Sequence, residues 1–147
     1  GMCYDSKRDC LWLAHFGAPM QRYDMKTGEL TQDSSTGQPE NIYMRGTAYI
    51  PEIDMLLNVG RVNGPDGQIG NLAYDIQNKK WVGIQLPCSD NLPRTNEKPY
   101  SEINLDLYYD PILKIAIFHS NQMEILLSRI DKTSLKIFEA KIVPPKK

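Results

Sequence analysis

Three copies of one short phrase constrain the fold of this chain more than any other feature of its sequence. In each copy an apolar or aromatic residue precedes an aspartate, a polar turn follows, and another apolar residue stands seven positions after the first. The copies are Tyr23–Leu30, Tyr74–Trp81 and Ile130–Ile137. Aspartate favours tight turns because its side chain can hydrogen-bond to the nearby backbone. The phrase therefore predicts a strand, a tight turn and a returning strand.

A second repeated phrase precedes each copy of the first. It begins at Tyr4, Tyr49 and Tyr109, carries Asp or Lys five residues later, and runs on into an apolar segment. Proline or aspartate near its middle indicates a turn, because proline cannot lie inside a central strand. We expect each phrase to form a hairpin with a loop of about four residues.

Together the two phrases define a repeating unit of four antiparallel strands, an outer hairpin followed by an inner hairpin. A four-stranded unit recurring every ~45 to 60 residues is typical of a propeller blade. The predicted fold is all-β, with three propeller-type blades at about 2–32, 41–87 and 99–143 inside one domain of 1–147, a partial or half propeller. Residues 122–128 have helical propensity, but their place in the repeat predicts a strand.

The motifs resemble kelch repeats and, more loosely, the central propeller domain of galactose oxidase. The best copy is Tyr74–Trp81, and the segment 43–49 is similar to the arginine-containing strand that opens a kelch unit. The chain departs from the pattern where kelch repeats carry a Gly-Gly pair, since 16–18, 59–61 and 119–121 lack one. The copper-ligand set of a galactose oxidase-like enzyme has no match here, so no cofactor is expected.

Three blades do not close a ring, and an unclosed array leaves an apolar face at each end. Two interpretations stay open at this point. The chain either closes a six-blade ring as a homodimer, by self-association through its open blade edges, or is a fragment of a longer propeller that associates irregularly.

Composition narrows the classes of partner. The chain has 147 residues, 41% hydrophobic and 24% charged, with a net charge of −1, which is typical of a globular domain. No basic stripe is present, so we expect no nucleic acid partner. No apolar run approaches the ~20 residues of a membrane span, so we expect no membrane partner. No signal peptide is visible, and the compartment, extracellular, periplasmic or cytoplasmic, stays open.

The three cysteines, Cys3, Cys10 and Cys88, have no metal-ligand spacing, so no metal site is predicted. If Tyr4 paired with Asp9 across a hairpin, Cys3 would lie opposite Cys10, close enough for a disulfide. The odd count favours the other interpretation, three free thiols.

Candidate ligand-binding residues are those that the repeat places in or beside the long loops of one propeller face. They are His15, Arg61, His119 and Asn121. Loops on a rigid scaffold are the usual place for binding residues. His15 and His119 stand about ten residues after Tyr4 and Tyr109, yet neither has a carboxylate or cysteine at ligand spacing beside it. No catalytic residue is predicted.

These observations predict a non-catalytic binding or scaffold module that recognises a protein or a carbohydrate through its loop-rich face. The alternative is part of a propeller enzyme, a glycosidase or an oxidase, with its site in the central channel. A third interpretation is a purely structural fragment that completes a larger ring.

Overall fold

A computed structural model describes residues 1–13, 19–33, 46–87, 105–120 and 125–140 of the chain. Within these ranges the regular structure consists of strands, which confirms the all-β prediction. The strands are β1 (Met2–Asp5), β2 (Cys10–Leu13), β3 (Gln21–Asp24), β4 (Leu30–Gln32), β5 (Thr47–Ile50), β6 (Met55–Asn63), β7 (Ile69–Asp75), β8 (Lys80–Gln85), β9 (Leu105–Asp110), β10 (Ile115–Ser120), β11 (Ile125–Arg129) and β12 (Lys136–Phe138).

The strands form three antiparallel sheets. The first sheet has the order β1-β2-β3-β4, the middle sheet β12-β8-β7-β6-β5, and the third sheet β11-β10-β9. The first sheet therefore coincides with the unit predicted at 2–32, and β5 to β8 lie inside the unit predicted at 41–87. Of the segment 122–128, which the repeat assigned to a strand, residues 125–128 lie in β11, and 122–124 lie outside the described residues.

The middle sheet is buried on both faces, which explains why its strands are nearly continuous apolar runs. One face shares a core with the first sheet, made by Cys10, Trp12, Met20, Tyr49, Leu56, Val62, Leu72, Tyr74, Ile76 and Trp81. The opposite face shares a second core with the third sheet, which includes Ile50, Leu57, Val59, Ala73, Val82, Ile84, Leu107, Ala116 and Phe118. The described part of the chain is thus a stack of three sheets with the middle sheet as its centre.

Four hairpin loops have the same length and the same backbone device. The loops 6–9, 51–54, 76–79 and 111–114 each hold four residues between paired strands, as the repeats predicted for the outer hairpins. Each loop ends in a residue with positive φ, in chain order Asp9 (51°), Asp54 (55°), Lys79 (52°) and Lys114 (56°). Three loops follow an aspartate whose carboxylate accepts hydrogen bonds from backbone N–H groups of the loop, in chain order Asp5, Asp75 and Asp110.

The register of the first hairpin decides the question of a disulfide. Cys3 lies opposite Trp12, and Asp5 lies opposite Cys10, so the two cysteines do not face each other. Both Cys3 and Cys10 are free thiols, and the disulfide interpretation is wrong. Cys88 lies outside the described residues.

The third unit departs from the predicted four-stranded sheet, because its last strand joins the middle sheet. In that sheet Met55 pairs with Asp75, whereas the equivalent Ile115 of the third sheet pairs with Arg129. Asp131 therefore lies two residues beyond the place that Asp75 occupies. Its turn, closed by the backbone N–H of Leu135 donating to its carbonyl, directs β12 to the edge of β8.

Three glycines make room for that additional strand. A Cβ atom on Gly64 would lie 2.7 Å from Cδ2 of Phe138, and one on Gly70 would lie 2.8 Å from its Cε1. A Cβ atom on Gly83 would overlap the same ring. The ring of Phe138, in β12, can therefore pack against the middle sheet because all three positions lack side chains.

We expect Gly83→Ala to displace β12 from the middle sheet, because the three atoms nearest to the added methyl group all belong to Phe138. Overpacking of this kind costs about 1–3 kcal/mol. Denaturant unfolding measures the cost, and hydrogen exchange of the β12 amides reports the displacement. In the Phe138→Ala background the same substitution should cost much less, and equal costs in the two backgrounds would contradict the account.

Candidate functional site

An ion-pair cluster joins the first sheet to the middle sheet at their hairpin loops. Arg8 donates from Nη1 to Asp5 Oδ2 (2.7 Å) and to Asp54 Oδ1 (2.7 Å), and from Nη2 to Asp54 Oδ2 (2.8 Å). Lys7 Nζ and the Tyr49 hydroxyl also donate to Asp54, at 2.7 and 2.9 Å. Because Asp5 is fully buried and Asp54 largely so, the cluster holds a fixed geometry between the sheets.

The charges of this cluster are matched to one another. The hydrogen bond from Arg8, with further ones from Lys7 and Tyr49, lowers the pKa of Asp54. The same bond to Asp54 raises the pKa of Arg8, and burial together with the bond to Asp54 raises the pKa of Tyr49. Asp54 therefore stays ionised and Tyr49 stays protonated at neutral pH. The cluster is suited to fixing two sheets and poorly suited to proton transfer.

Tyr74 makes a second link between the two sheets. Its hydroxyl donates to Asp33 Oδ2 (2.6 Å), and Lys79 Nζ lies 2.9 Å from Asp33 Oδ1. Its ring lies edge-on to Trp12 with centroids 6.0 Å apart, and it is tilted against Trp81 at 5.2 Å. Burial is the main cause that raises the pKa of Tyr74.

The tyrosine that opens each outer hairpin donates its hydroxyl to a nearby carboxylate. Tyr4 donates to Asp9 and Tyr49 donates to Asp54. Both hydrogen bonds are 2.9 Å long, and both join residues five positions apart in sequence. In the third hairpin the position of Asp54 is held by Lys114. There the hydroxyl of Tyr109 donates instead to Glu52 of the middle sheet, which links the second pair of sheets.

A groove of about 410 Å³ opens beside the ion-pair cluster. Its lining includes Arg8, Trp12, Arg22, Asp33 and Lys79. Arg8 and Lys79 are already paired there with acidic side chains. A second cleft of about 650 Å³ lies between the turn 76–79 and β12, beside Trp81 and Phe138. Neither cleft is lined by the residues that the sequence predicted for ligand binding.

Two of the four predicted ligand-binding residues belong to the described structure. Arg61, in β6, pairs with Asn71, which pairs with Ile84, so Arg61 lies on the face of the middle sheet that meets the third sheet. His119, in β10, pairs with Asp106 and Ile125 on the opposite face of the third sheet, and it is exposed. The third sheet lies between them. His15 and Asn121 lie outside the described residues, and the shared ligand site stays a prediction.

The two thiols of the first sheet are poor nucleophiles. Burial, reinforced by the negative charge of Asp5, raises the pKa of Cys3 to about 12, and the same causes raise the pKa of Cys10. A cysteine reacts as its thiolate, which is scarce at neutral pH when the pKa is raised. Among the described side chains no three of His, Cys, Asp or Glu gather to hold a metal ion.

The outer face of the first sheet carries apolar side chains in solvent. Residues alternate between the faces of a strand, so the neighbours of buried Asp5, Cys10 and Trp12 point outward. Met2 is 62% exposed, Tyr4 51% and Leu30 55%. Half-buried Leu11, Leu13 and Tyr23 complete the same face by cross-strand pairing.

The outer face of the third sheet has an apolar centre as well, with the pair His119 and Asp106 at one end of it. Ala116 and Phe118 point into the second core, so Ile115 and Ile117 point outward, where Ile117 pairs with Tyr108 and Leu127. Tyr108 and Leu127 are each 59% exposed. The sequence predicted an apolar face at each end of the array, but loop residues were predicted as the binding site. The alternation of inward and outward side chains along β9 to β11 is the signal that identifies this face.

No family model, no curated protein and no solved structure matches this chain. In the part of the chain that the structure describes, no helix is long and apolar enough to cross a membrane. The two apolar outer faces are therefore the features from which a function is inferred.

We expect Asp54→Asn to lower the free energy of unfolding by about 2 kcal/mol, between the ~1 kcal/mol of an exposed ion pair and the ~3–5 kcal/mol lost on breaking a buried one. Thermal melts at neutral pH measure the loss. Asp9→Asn is the matched control, since Asp9 occupies the same loop position, also with positive φ, but among the described residues its carboxylate accepts a hydrogen bond only from the exposed Tyr4 hydroxyl.

The stability of the parent chain should also depend on pH through Asp54. Its folded pKa lies below the unfolded value of about 3.9, so its stabilisation is complete above that value and is lost as the pH falls further. The difference in melting temperature between the parent and Asp54→Asn should shrink below about pH 4. A difference that stays constant down to pH 2 would show that the Asp54 charge does not stabilise the fold.

Proposed function

We propose that the three sheets are propeller-type blades of a non-catalytic module that binds protein through the apolar outer faces of its first and third sheets. The observation that carries the proposal is the exposure of Met2, Leu30, Tyr108 and Leu127 on two sheet faces, beside a middle sheet whose two faces are both covered. Extended apolar patches on a soluble domain mark interaction surfaces.

The stacking of the sheets supports the blade interpretation. Blades of a propeller pack face to face around a ring, and an open array ends in two faces that would otherwise be covered. Here each described interface joins one face of the middle sheet to a neighbouring sheet, through the Arg8–Asp54 cluster on one side and Tyr109 with Glu52 on the other. The resemblance to kelch repeats stays a prediction, as does the alternative of an enzyme with its site in a central channel.

The chemistry of the ionisable groups supports a binding role over a catalytic one. Asp5 and Asp54 are engaged by Arg8, and Asp33 is engaged by Tyr74 and Lys79. The thiols of the first sheet have raised pKa values. The paired carboxylates and their partners hold the sheets together. The outer faces offer apolar side chains of a kind that suits a protein surface more than a sugar.

The experiment recovers the tagged chain from cells that produce it, after replacing Leu30 or Leu127 by lysine. Quantitative mass spectrometry should find at least one polypeptide, a second copy of the chain included, in stoichiometric amount with the parent. That polypeptide should be depleted roughly tenfold or more with Leu30→Lys and Leu127→Lys.

Ile137→Lys is the control, because Ile137 is similarly exposed (51%) but lies in β12 at the edge of the middle sheet. If every recovered polypeptide binds equally to all four proteins, the outer faces are not binding surfaces and the proposal fails.

A further inference from the structure

The repeat assigns each sheet one face that meets the sheet before it. Tyr4, Tyr49 and Tyr109 occupy the same position in the three outer hairpins. Tyr49 is buried against the first sheet, and Tyr109 reaches back to Glu52 of the middle sheet. The face of the first sheet that carries Tyr4 is therefore of the same kind, but no other sheet of the described residues covers it, and Tyr4 is 51% exposed.

The opposite face of each sheet meets the sheet after it. Trp12 is buried against the middle sheet, and the equivalent Leu57 is buried against the third sheet. Each stands two positions into its apolar run, after Cys10 and Met55. The equivalent residue of the third sheet is Ile117, which lies on the outer face beside Tyr108 and Leu127.

The hairpin loops repeat the same relation. Arg8, at the third position of its loop, reaches Asp54 in the next sheet. Ile53, at the third position of the next loop, packs against the core shared with the third sheet. The third position of the last loop is Leu113, which is 57% exposed, and the position before it is Ile112, which is 88% exposed. Two apolar side chains thus stand in solvent where the earlier loops contact a following sheet.

We propose that the partner of this chain is a second copy of itself, with the outer face of the third sheet in one copy packed on the outer face of the first sheet in the other. The same contact made in both directions closes a pair with six stacked sheets. The proposal rests on the proposed function and names its partner. The proposal is based on continuity with the two interfaces inside the chain. In each of them, the face that meets the following sheet packs on the face that meets the preceding sheet. The outer face of the third sheet is of the first kind, and the outer face of the first sheet is of the second kind.

This contact joins two different faces, which distinguishes it from the usual dimer contact of a surface with itself. A contact of the first outer face with itself would be weakened by Leu30→Lys and untouched by Leu127→Lys. The head-to-tail contact is weakened by both.

The experiment measures absolute mass by light scattering over a wide range of concentrations of the purified chain. We expect a single species near twice 16.8 kDa. Leu30→Lys and Leu127→Lys should each raise the dissociation constant at least roughly tenfold. Ile137→Lys should behave like the parent.

Met2→Lys and Tyr108→Lys provide a second pair of variants on the same two faces, in case one of the leucine variants fails to fold. A monomer at every concentration overturns the proposal, as does a series of species larger than the dimer, which rules out closure. Sensitivity to one face alone overturns the head-to-tail arrangement. If the purified chain is monomeric while another polypeptide depends on the same faces in cells, self-association fails and the proposed binding function stands.

Discussion

The structure depends on one sheet that is covered on both sides. The middle sheet buries Leu56, Leu72 and Tyr74 against the first sheet, and it buries Leu57 and Ile84 against the third. Each outer sheet has one buried face, so it owes its position to the middle sheet. Burial of apolar side chains supplies most of the favourable free energy of such a stack. The apolar outer faces have the same origin. Each outer sheet repeats the sequence pattern of the middle sheet, which places apolar residues on both faces.

Polar groups fix the orientation of the stack that the apolar residues hold together. The Arg8 guanidinium binds Asp54 with two parallel hydrogen bonds, which sets both distance and angle between the loops. Tyr74 and Asp33 do the same at another point of that interface, and Tyr109 and Glu52 act between the middle and third sheets. Apolar contact alone would let the sheets slide. The proposed binding function requires this rigidity, since the outer faces can bind a partner only when their side chains hold a fixed arrangement.

The sequence predicted the fold where local rules decide it. The four-residue hairpin loops follow from an aspartate or proline beside each turn. In the two outer hairpins where an aspartate stands five positions after the tyrosine, the structure adds a hydrogen bond between the two side chains. Contacts between residues far apart in the sequence could not be predicted. The departure of β12 depends on a two-residue shift before Asp131 and on glycines far from Phe138 in sequence. The candidate site was missed because loop residues were preferred to the alternating faces, and the faces become visible only when register and order of the sheets are known.

Hydrogen exchange of single amides, followed by NMR, tests most directly whether the middle sheet is the centre of the fold. Amides paired in a sheet that is covered on both faces open only with global unfolding. We predict that the amides of β6 and β7, Leu56, Leu72 and Ala73 among them, exchange most slowly, and that those of β4 and β11 exchange much faster. Slowest exchange in β1–β4 or β9–β11, together with free exchange in the middle sheet, would show that the middle sheet is not the centre of the fold.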